Sequence, residues 1–285
     1  MKSHRTKLVF VYIIIFICCL IISDLMSSQF ALSVSYYSLS DDRIKEIRII
    51  QISDLHNSEF GNNNHRLIET VAAQNPDLIM ITGDLLNSNE DSIETATCLI
   101  ENLTAIADVY VSMGNHEIEY RERTGIDINS LYADAGAVVL DETYIDISIN
   151  SQELRIGGVY GYCLPERYKN QNPKQKQQCE LLTEFQKTNR YKILMSHLPY
   201  AWWNYGFGNE WNVDLVLCGH THGGQVIVPF IGGLYDGETG WFPGQVSGYK
   251  KDGADIIVSR GLGNTEDMPR LINIPEIVVI EINLI

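Results

Sequence analysis

Residues 217–225 read LCGHTHGGQ: the end of an apolar strand, then two histidines one residue apart, set among three glycines. On extended backbone, side-chain direction repeats every second residue. His220 and His222 therefore point to one side, placed to grip one metal ion or two adjacent ones. Taken alone, the stretch reads equally well as a glycine-rich turn with incidental histidines. The decision lies with the other strand ends.

Working outward, IRIIQIS (47–53) and DLIMIT (77–82) read as strands, separated by a helix on which Leu67, Ile68, Val71 and Ala72 share a face. A second helix, about 90–107, aligns Ile93, Ala96, Ile100, Leu103 and Ala107, and VYVSM (109–113) follows as a strand. AVVLDE, YIDISI and LRIGGVYG read as consecutive antiparallel strands. A polar loop over 165–178 runs into a helix carrying Leu181, Leu182 and Phe185. KILMS (192–196), VDLVLC (213–218) and strands around DIIVS and EIVVIEI close the chain. Strand–helix alternation of this kind predicts an α/β or mixed (α+β) fold around at least one buried sheet.

Five strands run into polar clusters: Asp54-Leu55-His56, Gly83-Asp84, Gly114-Asn115-His116-Glu117, Ser196-His197 and Gly219-His220-Thr221-His222. Five of the seven histidines lie in them, leaving only His4 and His65 elsewhere. Each cluster has a plainer role available, such as Asp54 and Asp84 capping helices or His197 satisfied in a core. Ligand sites in α/β sheets collect at the C-terminal ends of strands, however, and the joint occurrence of five such clusters favours one convergent site.

The 285 residues are 45% hydrophobic and 20% charged, enough for a substantial core, with no composition break that demands two domains. Net charge is −15; without Lys2, Arg5 and Lys7 the remainder holds 18 basic against 36 acidic residues, or −18. So acidic a surface repels nucleic acid, and no nucleic-acid partner is expected. Residues 1–7 are expected to form a basic flank, 8–24 a transmembrane anchor or signal peptide, 25–46 a linker and 47–285 the main globular domain. The charge-free run, Leu8 to Ile22, sits between a long signal-peptide core and a short span, which needs roughly 17 to 25 residues. Ala31 and Ser33 are too distant from it to mark a cleavage site, so an uncleaved single-pass anchor is expected. The positive flank places the domain on the extracytoplasmic side of the cell membrane.

Cys18, Cys19, Cys98 and Cys218 read as small buried apolar residues, and pairing of Cys163 with Cys179 stays open. The tryptophans Trp202, Trp203, Trp211 and Trp241 fall in or near the histidine loops. They are expected to pack those loops onto the core, with a membrane-facing lip as the alternative.

The order DxH, GD, GNHE, H and GHTH, from about residue 47 to 283, resembles the calcineurin-like metallophosphoesterases. GHTHGGQ together with IIVSRGLGNTEDMPRLINIPEIVVIEI is similar to a bacterial membrane-associated branch, some members of which hydrolyse phosphodiesters or the pyrophosphate bond of UDP-diacylglucosamine. The resemblance implies a four-layer αββα sandwich with two metals at the strand ends. Asp54, His56, Asp84 and His222 then hold one, Asp84, Asn115, His197 and His220 the other, and Asp84 bridges. A carboxylate can span two cations about 3.5–4 Å apart, and such a pair can activate a water as hydroxide for attack on phosphorus. His116 resembles the family histidine that stabilises the transition state or protonates the leaving oxygen. Glu117 either orients it or is an ordinary surface acid; Arg270 either contacts substrate phosphate or pairs with a surface acid. Nitrogen and oxygen ligands suit manganese, iron or zinc alike.

The expectation is thus a membrane-anchored binuclear metal hydrolase acting on a phosphate ester or pyrophosphate, carried by a small molecule or a lipid. The alternative is a metal-binding scaffold or partner-binding protein with little turnover.

Overall fold

Strands buried on both faces need apolar residues at successive positions rather than in alternation, and the runs around residues 50, 80, 194 and 216 have that character. In the computed structural model, which describes residues 2–161, 179–237, 239–264 and 269–285, these runs form the centres of two six-stranded sheets. The first has the order β1 (Ser33–Ser40), β15 (Glu276–Asn283), β2 (Glu46–Ile52), β3 (Leu78–Ile81), β4 (Asp108–Val111), β5 (Val138–Val139). The second has β13 (Gly248–Asp252), β14 (Ala254–Val258), β9 (Leu215–Cys218), β8 (Tyr191–Ser196), β7 (Gln152–Val159), β6 (Thr143–Ile149). A small sheet holds β10 (Ile227–Val228), β11 (Gly232–Asp236) and β12 (Gly240–Gly244).

Alternate residues of each strand enter different apolar layers. Leu78 and Met80 of β3 meet Ile193, Met195, Leu215 and Leu217 in the layer between the two large sheets. Ile79 and Ile81 face the other way, onto α2 (His65–Ala72), α3 (Glu94–Thr104), α4 (Asn115–Thr124) and α5 (Ile128–Asp134). Beyond the second sheet, Leu194, Val216 and Cys218 pack on α6 (Glu180–Phe185) and α7 (Tyr200–Trp203) through Leu182, Phe185 and Trp202. The result is helix, sheet, sheet, helix: the expected αββα order. Strands β2, β3 and β4 run parallel, as do β7, β8, β9 and β14, so their C-terminal ends gather along one edge of the sandwich. Gln51 ties the sheets together at that edge, donating to Thr82 Oγ1 at 3.1 Å and to Cys218 O at 2.7 Å.

Several sequence expectations need correction. Residues 33–40 are not linker: β1 lies parallel to β15 over eight residue pairs, from Ser33 opposite Glu276 to Ser40 opposite Asn283. Val138 and Val139 do not precede β6 in one antiparallel run but join the first sheet, parallel to β4; of the three expected segments, the two that become β6 and β7 do pair antiparallel. The chain before β1 is one helix, α1 (Lys2–Phe30), in which Val9–Ser27 has a mean hydropathy of 2.8 and is 0% buried. Length and composition suit either a span or a signal sequence. Cys18 and Cys19 are exposed on it rather than packed in the protein. Cys179 is disulfide-bonded; Cys163 and the polar loop 165–178 lie outside the described residues.

Ile193→Ala, which empties a fully buried position between the sheets, is expected to lower unfolding free energy by about 2–5 kcal/mol, read by denaturant titration of the folded domain.

Candidate metal centre

The five polar clusters meet where the parallel strands end. Beyond β2 and β3 the chain is zipped by Asp54 N–H to Gly83 O and His56 N–H to Asp84 O, both 3.0 Å, and Gly219 N–H reaches His197 O at 3.1 Å. Past the strands the backbone is not extended. Asp54 (φ 53°), His56 (47°), Asp84 (55°), His220 (73°) and His222 (48°) all occupy the left-handed region, which non-glycine residues adopt at a cost and mostly at functional sites. The two-residue rule for strands therefore does not govern 220 and 222. The two histidines diverge.

They enter different clusters. Asp54, His56 and His222 form one triad of converging ligand atoms and Asp84, His197 and His220 another, while His56, Asp84 and His116 overlap both; within each set the atoms lie within 4.8 Å of one another. Nε2 of His56 and Nε2 of His222 are 3.1 Å apart. Asp84 Oδ2 lies 3.2 Å from His197 Nε2 and 3.7 Å from His56 Nε2, between the triads. Asn115 Oδ1 completes the second set, 3.1 Å from His197 Nε2 and 3.0 Å from His220 Nδ1. All seven expected ligands are thus brought together.

The donor set fits divalent cations. Asp54 Oδ2 is buried and has no hydrogen-bond partner among the described residues, an arrangement costly for a carboxylate unless a cation meets it. The converging atoms are imidazole nitrogens and carboxyl or amide oxygens, without thiolate, which suits first-row divalent metals. Burial pushes His56 and His222 well below the ordinary imidazole value and takes His220 down to about 4, aided by the neighbouring His197. Neutral imidazole is the form that ligates metal. Burial opposes the proton on His197 too, but the Asp84 carboxylate beside it raises that group to about 9. Asp84 in turn, though burial works against its charge, is held below the usual carboxylate range by His197 and His56. His197 Nδ1 faces Thr82 O at 2.7 Å, which turns Nε2 toward the cluster.

His116 opens α4, and its N–H donates to Asp84 Oδ1 at 2.9 Å. Its Nδ1 accepts from Ser88 N–H at 2.9 Å, so the neutral ring carries its proton on Nε2. The ring stands edge-on to His56, with centroids 4.5 Å apart. Glu117 fits neither expectation. It is 1% exposed and does not hold His116; it accepts from the N–H groups of Asp84 and Leu85, both at 2.8 Å, from Gly114 N–H at 2.9 Å and from the Tyr132 hydroxyl at 3.1 Å. Burial and the Asp84 charge raise its pKa while those amides support the anion. Gly114 is where two loops press together: a Cβ there would collide with Asp84 Oδ1 and Asp84 N.

Arg270 does not face the cleft. It is 4% exposed, donates to Gly263 O at 2.6 and 2.9 Å, and supports the outer side of His222, with Nη2 3.1 Å from Nδ1. Asn273 adds a bond to His222 O at 2.7 Å. The cleft itself is lined by Asp84, Asn115, His116, His220 and His222 together with residues that sequence reasoning missed, notably Gln225, Tyr235 and Asp236. Gln225 is 2% exposed, and neither its Nε2 nor its Oε1 has a partner among the described residues.

Residues 47–224, which include every one of these ligands, match the family model described as calcineurin-like phosphoesterase. The chain belongs to that family. Its members include a metallophosphoesterase of Bacillus subtilis, YkuE, 28% identical over 241 residues, covering 81% of this chain and 77% of that protein. The Campylobacter jejuni metallophosphoesterase Cj0846 is 26% identical over 210 residues, covering 67% of this chain and 50% of its own length, so the match spans half of that relative. The Escherichia coli phosphodiesterase YaeI is 26% identical over 200 residues, covering 67% of this chain and 66% of that protein. The expectation of a metal-dependent phosphoesterase is met at the level of the family.

Two substitutions probe the frame of the centre. Gly114→Ala is expected to abolish stoichiometric metal uptake measured by elemental analysis. Glu117→Ala strands three buried amide donors and is expected to cost about 2–4 kcal/mol of stability, seen as a lower unfolding midpoint that Glu117→Gln only partly restores.

Proposed function

We propose that this chain is a membrane-anchored binuclear phosphohydrolase that cleaves a phosphodiester or a pyrophosphate. The observation that carries the proposal is the position of Asp84 Oδ2 between the His56 and His197 imidazoles, at the junction of two ligand triads. In this reading Asp54, His56, Asp84 and His222 hold one divalent ion, and Asp84, Asn115, His197 and His220 hold the second. Manganese, iron and zinc all suit these donors. Two such ions supply charge to polarise a phosphoryl group and to lower the pKa of an attacking water.

The remaining steps belong to the chain. Neutral Asn115, in place of a third carboxylate, leaves the centre an excess of positive charge to draw in a phosphate, which an acidic protein otherwise repels. His116, with its proton directed to Nε2 by Ser88, donates to the leaving oxygen. Gln225, whose unsatisfied amide lies on the cleft wall, donates to a non-bridging phosphoryl oxygen. Arg270 positions the His222 ring from behind rather than binding substrate. The E. coli relative, named a phosphodiesterase, supports the diester class, and the resemblance of GHTHGGQ and the C-terminal run to the membrane-associated branch supports a lipid-linked substrate. Fixed in the membrane by α1, the domain faces the extracytoplasmic side; the disulfide at Cys179 suits that oxidising compartment.

Purified full-length protein with Mn²⁺ is expected to hydrolyse bis(p-nitrophenyl) phosphate, and chelation or Asp84→Ala to remove the activity; full turnover in either condition refutes the reading. His116→Gln is expected to lower kcat about 100- to 10,000-fold with metal content unchanged, which separates proton transfer from ligation.

A further inference from the structure

The small sheet carries a surface that the phosphoesterase chemistry does not use. Phe230 and Ile231, at the turn between β10 and β11, are 109% and 55% exposed, and Trp241 and Phe242 on β12 are 62% and 59% exposed. The flanking stretches VIVPFIGGL (226–234) and GWFPGQVS (240–247) contain no charged residue. Phe230 (φ 69°) and Phe242 (φ 56°) both sit in the left-handed region. Backbone strain is therefore carried at two residues whose large apolar rings stand mostly in solvent.

The surroundings indicate what covers this surface. Ile227 N–H donates to Leu271 O at 3.0 Å, and Val226 bridges Leu271 in parallel. The next residue, Ile272, is 50% exposed, and its N–H donates to Asp24 Oδ2 at 2.6 Å. Asp24 lies near the C-terminal end of α1, whose apolar stretch Val9–Ser27 has no buried residue among the described ones. The hairpin, the Ile272 segment and the end of the apolar helix are thus hydrogen-bonded neighbours. Tryptophan and other aromatics without charged neighbours are the side chains favoured at a membrane–water boundary.

We infer that Phe230, Ile231, Trp241 and Phe242 form a foot that enters the headgroup and upper acyl region of the bilayer in which α1 is seated. The inference rests on the proposed reading of α1 as an anchor. It also bears on the substrate. Strand β11 runs from the Phe230–Ile231 turn at Gly232 to the cleft at Asp236, and Trp241 of the foot pairs with its Tyr235 beside the cleft. Tyr235, whose ring lies 5.3 Å from that of Trp241, lines the cleft and joins the two surfaces. A phosphate ester at the headgroup of a membrane amphiphile reaches the centre without leaving its leaflet. Attachment here is apolar, so it holds on neutral lipid and resists salt.

Depth-dependent quenching tests this. Full-length protein is reconstituted in nanodiscs of phosphatidylcholine, with and without chains brominated near the headgroup, and the wild-type minus Trp241→Phe difference isolates one tryptophan. Trp241 emission is expected to be quenched at low and at high salt, and Phe230→Ser with Phe242→Ser to abolish the quenching while hydrolysis of a soluble chromogenic diester persists. Co-purification with nanodiscs but no quenching of Trp241 overturns the foot and spares the anchor; failure to co-purify overturns both. A dimer in detergent that Phe230→Ser dissociates, without Trp241 quenching, assigns the surface to a second copy instead. The quenching needs no turnover, so it is decided separately from the phosphoesterase reading.

Discussion

Three carboxylates lie buried within one small volume at the edge of the sandwich, and their mutual repulsion is the constraint around which the chain is arranged. Asp54, Asp84 and Glu117 are each at most 1% exposed, and none is neutralised by a lysine or arginine ion pair among the described residues. Glu117 is satisfied by backbone amides and a tyrosine hydroxyl. Asp84 has the His116 amide on one oxygen and imidazoles on the other. Asp54 accepts from His220 N–H on Oδ1 and keeps Oδ2 open. Buried charge persists only where something compensates it. In the proposed binuclear reading cations supply that compensation, so charge balance and substrate attraction become the same requirement.

The left-handed residues express this constraint in the backbone. Strands can deliver side chains to the edge of a sheet, but they deliver them in parallel rows. Converging five loops on one point requires sharp reversals immediately after β2, β3 and β9. After β3 the reversal is shared by Gly83 (φ 91°) and Asp84, whereas after β2 and β9 it falls on Asp54, His56, His220 and His222, so strain coincides with the candidate ligand positions. Other glycines stand beside them, at Gly114 and Gly219, where a Cβ would strike the Asp84 or Asp54 carboxylate.

Much of this was legible in the sequence because the central strands announce themselves as uninterrupted apolar runs and each ends in a short polar motif. Asp54, His56, Asp84, Asn115, His116, His197, His220 and His222 were all singled out in that way, and the structure brings them together. What escaped had weaker or misleading local signals. SVSYYSLS (33–40) does alternate small polar with apolar residues, an edge-strand pattern, but its overall polarity read as linker. Val138 and Val139 sit next to β6 in sequence and belong to the other sheet, a long-range choice that no local pattern records. Glu117 looked like one more surface acid because its partners are main-chain amides, invisible in residue types. Arg270 invited a phosphate because it is charged and near the motifs, whereas its fork is occupied by a carbonyl and by the back of a ligand. Trp202 and Trp211 pack the loops as expected; only the location of Trp241, on a strand whose turn neighbours are also exposed, distinguishes it.

Only Ala31 and Leu32 separate α1 from β1, and β1 is locked along its whole length to the closing strand of the domain. The connection between the helix and the domain is therefore two residues long and runs straight into a paired strand. On the proposed reading of α1 as an anchor, encounters with substrate become a two-dimensional collision problem, set by the surface density and lateral diffusion of whatever drifts past.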